Sequence, residues 1–184
     1  MKTHDLITRR WSPVAFSDKK PGREMMEQLF EAARWAPSSF NAQPWKFFYA
    51  QQGDALYDVL FGLLHEGNQE WAKTAPVLIL SMAEQVPEGR TAVNRFAAHD
   101  TGMATANLLL QATDMGLYAH MMGGYDTEKA RQVLGIPENY TPMAMIAVGY
   151  KGDPTILPAD VAAREEKKRE RYAVKDFVYT RKIS

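Results

Sequence analysis

The chain has 184 residues with 22 basic and 22 acidic side chains, so its formal net charge is zero. This balance excludes the strongly basic surface typical of nucleic-acid-binding domains. The absence of cysteine excludes disulfides, thiolate metal sites and a cysteine nucleophile. Residues 77–83 form the longest strongly apolar run, which is too short for a membrane span of ~20 residues. We therefore predict a cytoplasmic protein without a nucleic-acid or membrane partner.

The first half of the chain predicts two helices and two strands. One helix follows Gly22 and ends before Pro37, since the residue before a proline disfavours helix. An aromatic strand over Trp45–Ala50 precedes a second helix that Asp54 can cap. A buried strand is predicted over Val77–Ala83. Helical spacing in the first helix joins four apolar residues: Met26, Leu29, Phe30 and Ala33.

The second half predicts a long helix, two strands and a short helix. Val93–Met115 has small or apolar residues on nearly every helical face, which is typical of a helix buried centrally or against a partner. Strands are predicted over Tyr118–Met122 and Met143–Val148, with a helix over Thr127–Leu134 between them. Alternating helices and strands indicate an α/β or α+β domain.

The tail from Lys151 has too few apolar residues for a core of its own. We predict a charged helix over Ala159–Tyr172, followed by an extended stretch over residues 177–179. The chain therefore divides into a core, residues 1–150, and a C-terminal extension, residues 151–184, which wraps another surface such as a second subunit.

Familiar catalytic motifs are missing from this sequence. It has neither a G-x-G-x-x-G nor a Walker A loop for phosphate, and no G-x-S-x-G turn for a nucleophilic serine. The four histidines lack metal-ligand spacing, so we predict no metal site.

Three segments have the composition of a ligand site, although each also has a structural interpretation. Residues 9–12 place two arginines beside a hydroxyl, which suits a phosphate or a solvated face. Residues 36–45 offer hydroxyls and carboxamides to a heterocycle, or cap their own turn. Residues 121–125 contain two glycines that allow close approach of a ligand, or form a plain turn.

Taken in order, these segments resemble the nitroreductase family of FMN enzymes. The resemblance covers nearly the whole chain, and its most specific block is residues 37–45. It is carried by Arg10-Trp11-Ser12-Pro13, Glu31-Ala32-Ala33-Arg34-Trp35-Ala36-Pro37-Ser38-Ser39-x-Asn41-x-Gln43-Pro44-Trp45, Asn107-Leu108-Leu109-Leu110-Gln111-Ala112, Gly116-Leu117, Ala147-Val148-Gly149-Tyr150 and a basic tail ending in Phe177-Val178.

The resemblance implies a three-layer α+β sandwich in an intertwined homodimer with FMN at the interface. It also implies an NAD(P)H-dependent flavin oxidoreductase that passes hydride through the flavin, by a ping-pong mechanism, to small electron-poor acceptors: nitroaromatics, quinones, enals or semialdehydes. The flavin carries the chemistry, so no catalytic acid or base is assigned. A flavin-binding protein without turnover, for storage or sensing, is the alternative.

The resemblance implies cofactor contacts at three places. Arg10, Trp11 and Ser12, with Arg9 as a neighbour, match the FMN-binding N-terminal segment, and Arg169 and Arg171 resemble a cationic pair on the phosphate, with Lys167 and Lys168 as the alternative register. A loop that reaches the flavin from the other subunit corresponds to Pro37, Ser38, Ser39 and Asn41, with Gln43 close by. Contacts to the flavin ring correspond to Asn68, Gly123 and Gly124.

One position departs from the family's pattern. Proteins that resemble this chain commonly carry Lys or Arg two residues after the serine, near flavin N1 and O2, but Val14 stands there. Either another cation, with Arg9 the first candidate, stabilises the reduced flavin, or the flavin is a stronger reductant here.

Overall fold

The computed structural model describes residues 2–182. Residue 1 of the predicted core and residues 183–184 of the predicted extension lie outside the described part. Its four strands are β1 (Trp45–Gln51), β2 (Val77–Glu84), β3 (Tyr118–Met122) and β4 (Tyr140–Gly149). They form an antiparallel sheet in the order β1-β2-β4-β3, so β2 and β4 are central and β1 and β3 are the edges.

Helices cover both faces of this sheet. They are α1 (Asp5–Arg9), α2 (Arg23–Arg34), α3 (Ala55–Leu63), α4 (Glu66–Ala72), α5 (Ala97–Asp114), α6 (Thr127–Leu134) and α7 (Ala159–Ala162). Alternate residues of the fully buried strand β2 point to opposite faces, so Val77 and Ile79 pack with α2 and α5, whereas Leu78 and Leu80 pack with α3, α4 and α6. The predicted three-layer α+β fold is therefore confirmed.

Most predicted elements are found within a few residues of their expected bounds, and β3 and α6 match them in full. The strand predicted from Met143 begins earlier, at Tyr140, and includes Pro142. A register shift between Ser81 and Met82 of β2 lies opposite this proline, and such an irregularity accommodates a residue that has no N–H to donate.

Two expectations about helix starts are wrong. The long helix begins at Ala97, four residues after Val93, because the Asn94 side chain accepts a hydrogen bond from Phe96 N and forms a turn there. Asp54 does not cap α3 through its side chain, which accepts from Gln51 N instead. The short helices α1 and α4 had no strong apolar periodicity and were missed.

The helix expected over Ala159–Tyr172 ends early. It consists of α7 and a 3₁₀ turn over Ala163–Glu166, after which the chain is irregular to Ala173. Continuing the helix would place like charges four residues apart, which is destabilising. These pairs are Arg164 with Lys168, Glu166 with Glu170, and Lys167 with Arg171. A further 3₁₀ turn, Val174–Asp176, precedes the residues that were expected to be extended.

Within the described residues, no helix is both long enough and apolar enough to cross a lipid bilayer.

Candidate functional site

The two ends of the chain meet in a cluster of three arginines. Arg10 is half-buried and donates to Ser12 Oγ at 2.9 Å, while Arg169 donates to the backbone carbonyls of Thr8 and Arg10. Burial first, and then the positive charges of Arg169 and Arg171, lower the pKa of Arg10. None of the salt bridges within residues 2–182 involves any of the three. A cluster of guanidinium groups whose positive charge no carboxylate balances is suited to binding an anion.

Glu165 fixes the segment that carries Arg10. Its side chain is only 6% exposed and accepts from Trp11 Nε1 at 3.1 Å and from Val14 N at 2.5 Å. Lys151 Nζ lies 3.3 Å from the same carboxylate and balances its charge. Sequence reasoning missed Glu165, because its charged neighbours give no sign that this one acid is buried.

The basic tail contacts the N-terminal segment through Arg169. Arg169, four residues after Glu165, reaches the N-terminal segment, and its guanidinium lies 6.0 Å from the ring centroid of Trp11. Lys167 and Lys168 are exposed, and no hydrogen bond of the described chain joins either side chain to residues 8–12.

His120 connects this segment to strand β3. Its Nδ1 lies 2.7 Å from Pro13 O, so Nδ1 carries the proton and donates, and its ring stacks on Trp71 of α4 at 4.3 Å. The pKa of His120 is lowered, mainly by burial. The hydrogen bond to Pro13 and the charge of Glu165 raise this pKa, whereas the charges of Arg10 and Arg164 lower it further. No pattern in the sequence predicted this role for His120.

The neutral state of His120 predicts a pH-dependent stability. Because its pKa in the folded protein lies below the ordinary 6.5, the unfolded chain takes up a proton that the folded chain does not. Stability should therefore fall as the pH drops below 6.5, and the loss from this residue at pH 5.5 is at most about 1.4 kcal/mol, because the unfolded pKa sets the limit. Urea unfolding at pH 7.5 and 5.5 should show a smaller loss for His120→Gln than for the wild type. The exposed His4→Gln variant serves as the control, and equal losses in all three proteins would contradict the prediction.

The end of β3 carries an open glycine backbone beside Asn68. Asn68 Nδ2 donates to Gly124 O at 2.9 Å, and a Cβ on Gly124 would lie 2.8 Å from that same nitrogen, so a larger residue there would displace the Asn68 side chain. At Gly123 a Cβ would meet nothing within 4 Å. The structure thus brings together the three residues that the sequence assigned to the flavin ring, and leaves space against Gly123.

The loop before β1 has an unusual backbone. Phe40, Asn41 and Gln43 have φ values of 51°, 53° and 48°, a left-handed region that costs energy for residues other than glycine. Two backbone N–H groups of the loop donate to side chains: Ser39 N donates to Asp100 Oδ2 at 2.8 Å, and Gln43 N donates to Ser38 Oγ at 3.0 Å. Ser38 therefore does cap its own turn, as the structural interpretation proposed. Pro37, Phe40, Asn41 and Gln43 remain exposed.

Within one chain the loop of residues 37–43 lies apart from the glycines at the end of β3. Residues 37–43 precede the edge strand β1, whereas Gly123 follows the opposite edge strand β3, three strand spacings or roughly 14 Å away. No hydrogen bond or ion pair among residues 2–182 joins this loop to Arg10, Asn68 or the two glycines. Arg9 is exposed in the last turn of α1 and is not joined to the arginine cluster either.

Two features of the structure fit the FMN that the resemblance implies. The uncompensated cluster of Arg10, Arg169 and Arg171 suits the phosphate, and the open backbone at Gly123 suits a flat ring. Among the described residues, no set of three or more histidine and acidic side chains is arranged to hold a metal ion.

Two known proteins are similar in sequence to most of this chain. A protein of Mycolicibacterium smegmatis named "Uncharacterized 15.4 kDa protein in ask 5'region" is 37% identical over 131 residues, which cover 71% of this chain and 86% of that protein. A protein of Archaeoglobus fulgidus named "Putative NADH dehydrogenase/NAD(P)H nitroreductase" is 29% identical over 156 residues, which cover 80% of this chain and 84% of that protein.

Solved structures and a family profile extend the comparison. The protein in a crystal structure of an "oxidoreductase containing FMN" is 33% identical to this chain, and the two structures have a TM-score of 0.94. The match covers all of this chain and 94% of that chain. A nitroreductase family protein from Clostridium difficile has a TM-score of 0.75 over the whole of both chains at 22% identity, which supports the fold alone. The profile of the Nitroreductase family matches residues 7–64 and 61–150. Since these matches span most of the sequence, the chain belongs to the nitroreductase family.

Proposed function

We propose that this chain is an FMN-dependent oxidoreductase that uses NAD(P)H to reduce small electron-poor organic molecules, namely nitroaromatics, quinones, enals or semialdehydes, by a ping-pong mechanism. The observation that carries the proposal is the arginine cluster formed by both chain ends, which has no carboxylate partner in the described structure. Support comes from the similar structure of an oxidoreductase containing FMN and from the relative named as an NAD(P)H nitroreductase.

The side chains of this protein would bind and orient rather than react. FMN, when bound, supplies the hydride and electron transfer. Arg10, Arg169 and Arg171 would hold its phosphate, and the Asn68 side chain, fixed by Gly124 O, would position the polar edge of its ring. The open backbone at Gly123 would allow the ring to approach closely. No side chain is assigned a catalytic acid–base role.

A homodimer would complete the site. The exposed loop of residues 37–43 on one copy would meet the arginine cluster and the glycines of the other, and the distance between this loop and Gly123 within one chain supports such a shared site. Residues 151–184 would form the extension that wraps the partner: up to Glu165 they pack on their own chain, and beyond it they are largely exposed. Large exposed apolar side chains mark the surface that the partner would cover: Trp35 at 73%, Phe40 at 101%, Tyr172 at 86% and Phe177 at 61%.

Purified holoprotein tests the proposal directly. We expect a dimer with about one FMN per chain and oxidation of NAD(P)H that depends on an added acceptor such as menadione. Because donor and acceptor would use one flavin face in turn, double-reciprocal plots should give parallel lines. Intersecting lines would instead require a ternary complex. A yellow protein that oxidises no NAD(P)H would support the alternative of flavin binding without turnover, and a monomer that retains FMN would refute the shared site.

A further inference from the structure

A cavity of about 270 Å³ lies between the loop before β1 and the irregular segment that leads into α5. Ser39, Phe40 and Ala42 line it from the loop, and Arg90, Asn94 and Phe96 are among the residues that line it from the segment. A cavity of ~150 Å³ holds a benzene molecule, so there is room for one substituted aromatic ring.

The charge of this cavity is positive. Arg90 and Arg95 both line it, and its lining contains no carboxylate. Neither arginine takes part in a salt bridge within the described chain. Asp100, which contacts the loop, is 2% exposed and already accepts from Ser39 N and contacts His99. An anionic group in the cavity would therefore meet two cations without a competing acid.

The rest of the lining suits an aromatic ring. Phe96 is 40% exposed, and the Arg95 guanidinium lies over one face of its ring, 4.6 Å from the centroid, so the lining contains an aromatic ring and a cation in contact. Asn94 also lines the cavity, and its Nδ2 is buried without a hydrogen-bond partner in the structure described, so its two N–H groups are unpaired.

We propose that this cavity binds the electron acceptor and selects aromatic acceptors that carry an anionic substituent, such as a carboxylate or sulfonate. The proposal rests on the proposed function, since it takes the loop of Ser39 and Phe40 to lie against the flavin of the partner. For a nitroaromatic acceptor the overall reaction is NAD(P)H + H⁺ + ArNO₂ → NAD(P)⁺ + ArNO + H₂O, in which the nitro group is reduced and the nicotinamide is oxidised. The anionic substituent is held and does not react.

A matched pair of acceptors tests this preference. 4-Nitrobenzoate and 4-nitrobenzamide have nearly the same shape and differ in charge. The ratio of their kcat/KM values should fall about 10-fold from the wild type to the double variant Arg90→Gln, Arg95→Gln. Comparing this ratio between proteins cancels the intrinsic difference in reactivity of the two compounds. The charge-retaining variant Arg90→Lys, Arg95→Lys should keep most of the preference, and added salt should weaken it.

A binding measurement separates this inference from the proposed function. Titration of the holoproteins with 4-nitrobenzoate, followed through the flavin spectrum, should give a dissociation constant about 10-fold larger in the glutamine double variant. If neither acceptor is reduced but this difference is present, the proposed activity fails and the anion site stands. If 4-nitrobenzamide is reduced while the ratio and the binding constant are the same in both folded, fully flavinated proteins, the anion preference is overturned.

Discussion

Replacing Arg10 with alanine should weaken FMN binding ~10- to 100-fold and leave riboflavin binding almost unchanged. Arg10 is the half-buried member of the arginine cluster, and it is repelled by Arg169 and Arg171 until an anion arrives. A charge-assisted hydrogen bond to a phosphate is worth ~1.5–3 kcal/mol, which corresponds to this loss. Riboflavin lacks the phosphate, so the ratio of the two dissociation constants isolates the contact.

Two further variants sharpen the measurement. Arg10→Lys should bind FMN with intermediate affinity, because it keeps the charge but loses the planar fork of donors. Arg9→Ala removes the same side chain from the adjacent, exposed position and should have a small effect. If Arg10→Ala weakens both flavins equally, Arg10 does not contact the phosphate. If Arg9→Ala has the larger effect, the phosphate lies on the other side of this segment.

The layers of the fold could be predicted from local patterns, whereas its irregular parts could not. β3 and α6 were found at their expected bounds because alternating and helical periods are written in adjacent residues. The left-handed backbone at Phe40 and Asn41 has no such signal, since glycine is the usual residue for it. Tertiary contacts hold that loop, in particular the hydrogen bond from Ser39 N to Asp100, which is 61 residues away.

The resemblance named the candidate site residues, but it did not predict how they are arranged. Arg10 and Arg169 were assigned to one anion from the resemblance, and the structure places them together across 159 residues of chain. Glu165, which accepts hydrogen bonds from the N-terminal segment, was missed because its sequence neighbours are charged too. Its burial depends on contacts with Trp11 and Lys151, which are distant in sequence. The separation of the loop from Gly123 becomes visible only when the strand order is known.

Replacing Val14 with arginine should destabilise the fold by about 3–5 kcal/mol. The resemblance placed a cation of related proteins at this position, beside the flavin. In this chain Val14 is only 4% exposed and packs in the core with Ala15 and Phe16. An arginine there would bring a charge into an apolar cluster, and the carboxylate bonded to Val14 N, that of Glu165, is already matched by Lys151.

Val14→Met is the matched control, because it adds length without charge and should cost ~1–3 kcal/mol by overpacking. Urea unfolding of the three proteins therefore separates the steric cost from the cost of burying a charge. The same samples test the other possibility, in which residue 14 faces the ring: the arginine variant would then stay as stable as the wild type and raise the FMN midpoint potential by roughly 20–60 mV. That result would overturn the buried position of Val14. A loss of stability well beyond that of the methionine variant would instead mean that the chain must stabilise reduced flavin without a cation at this position.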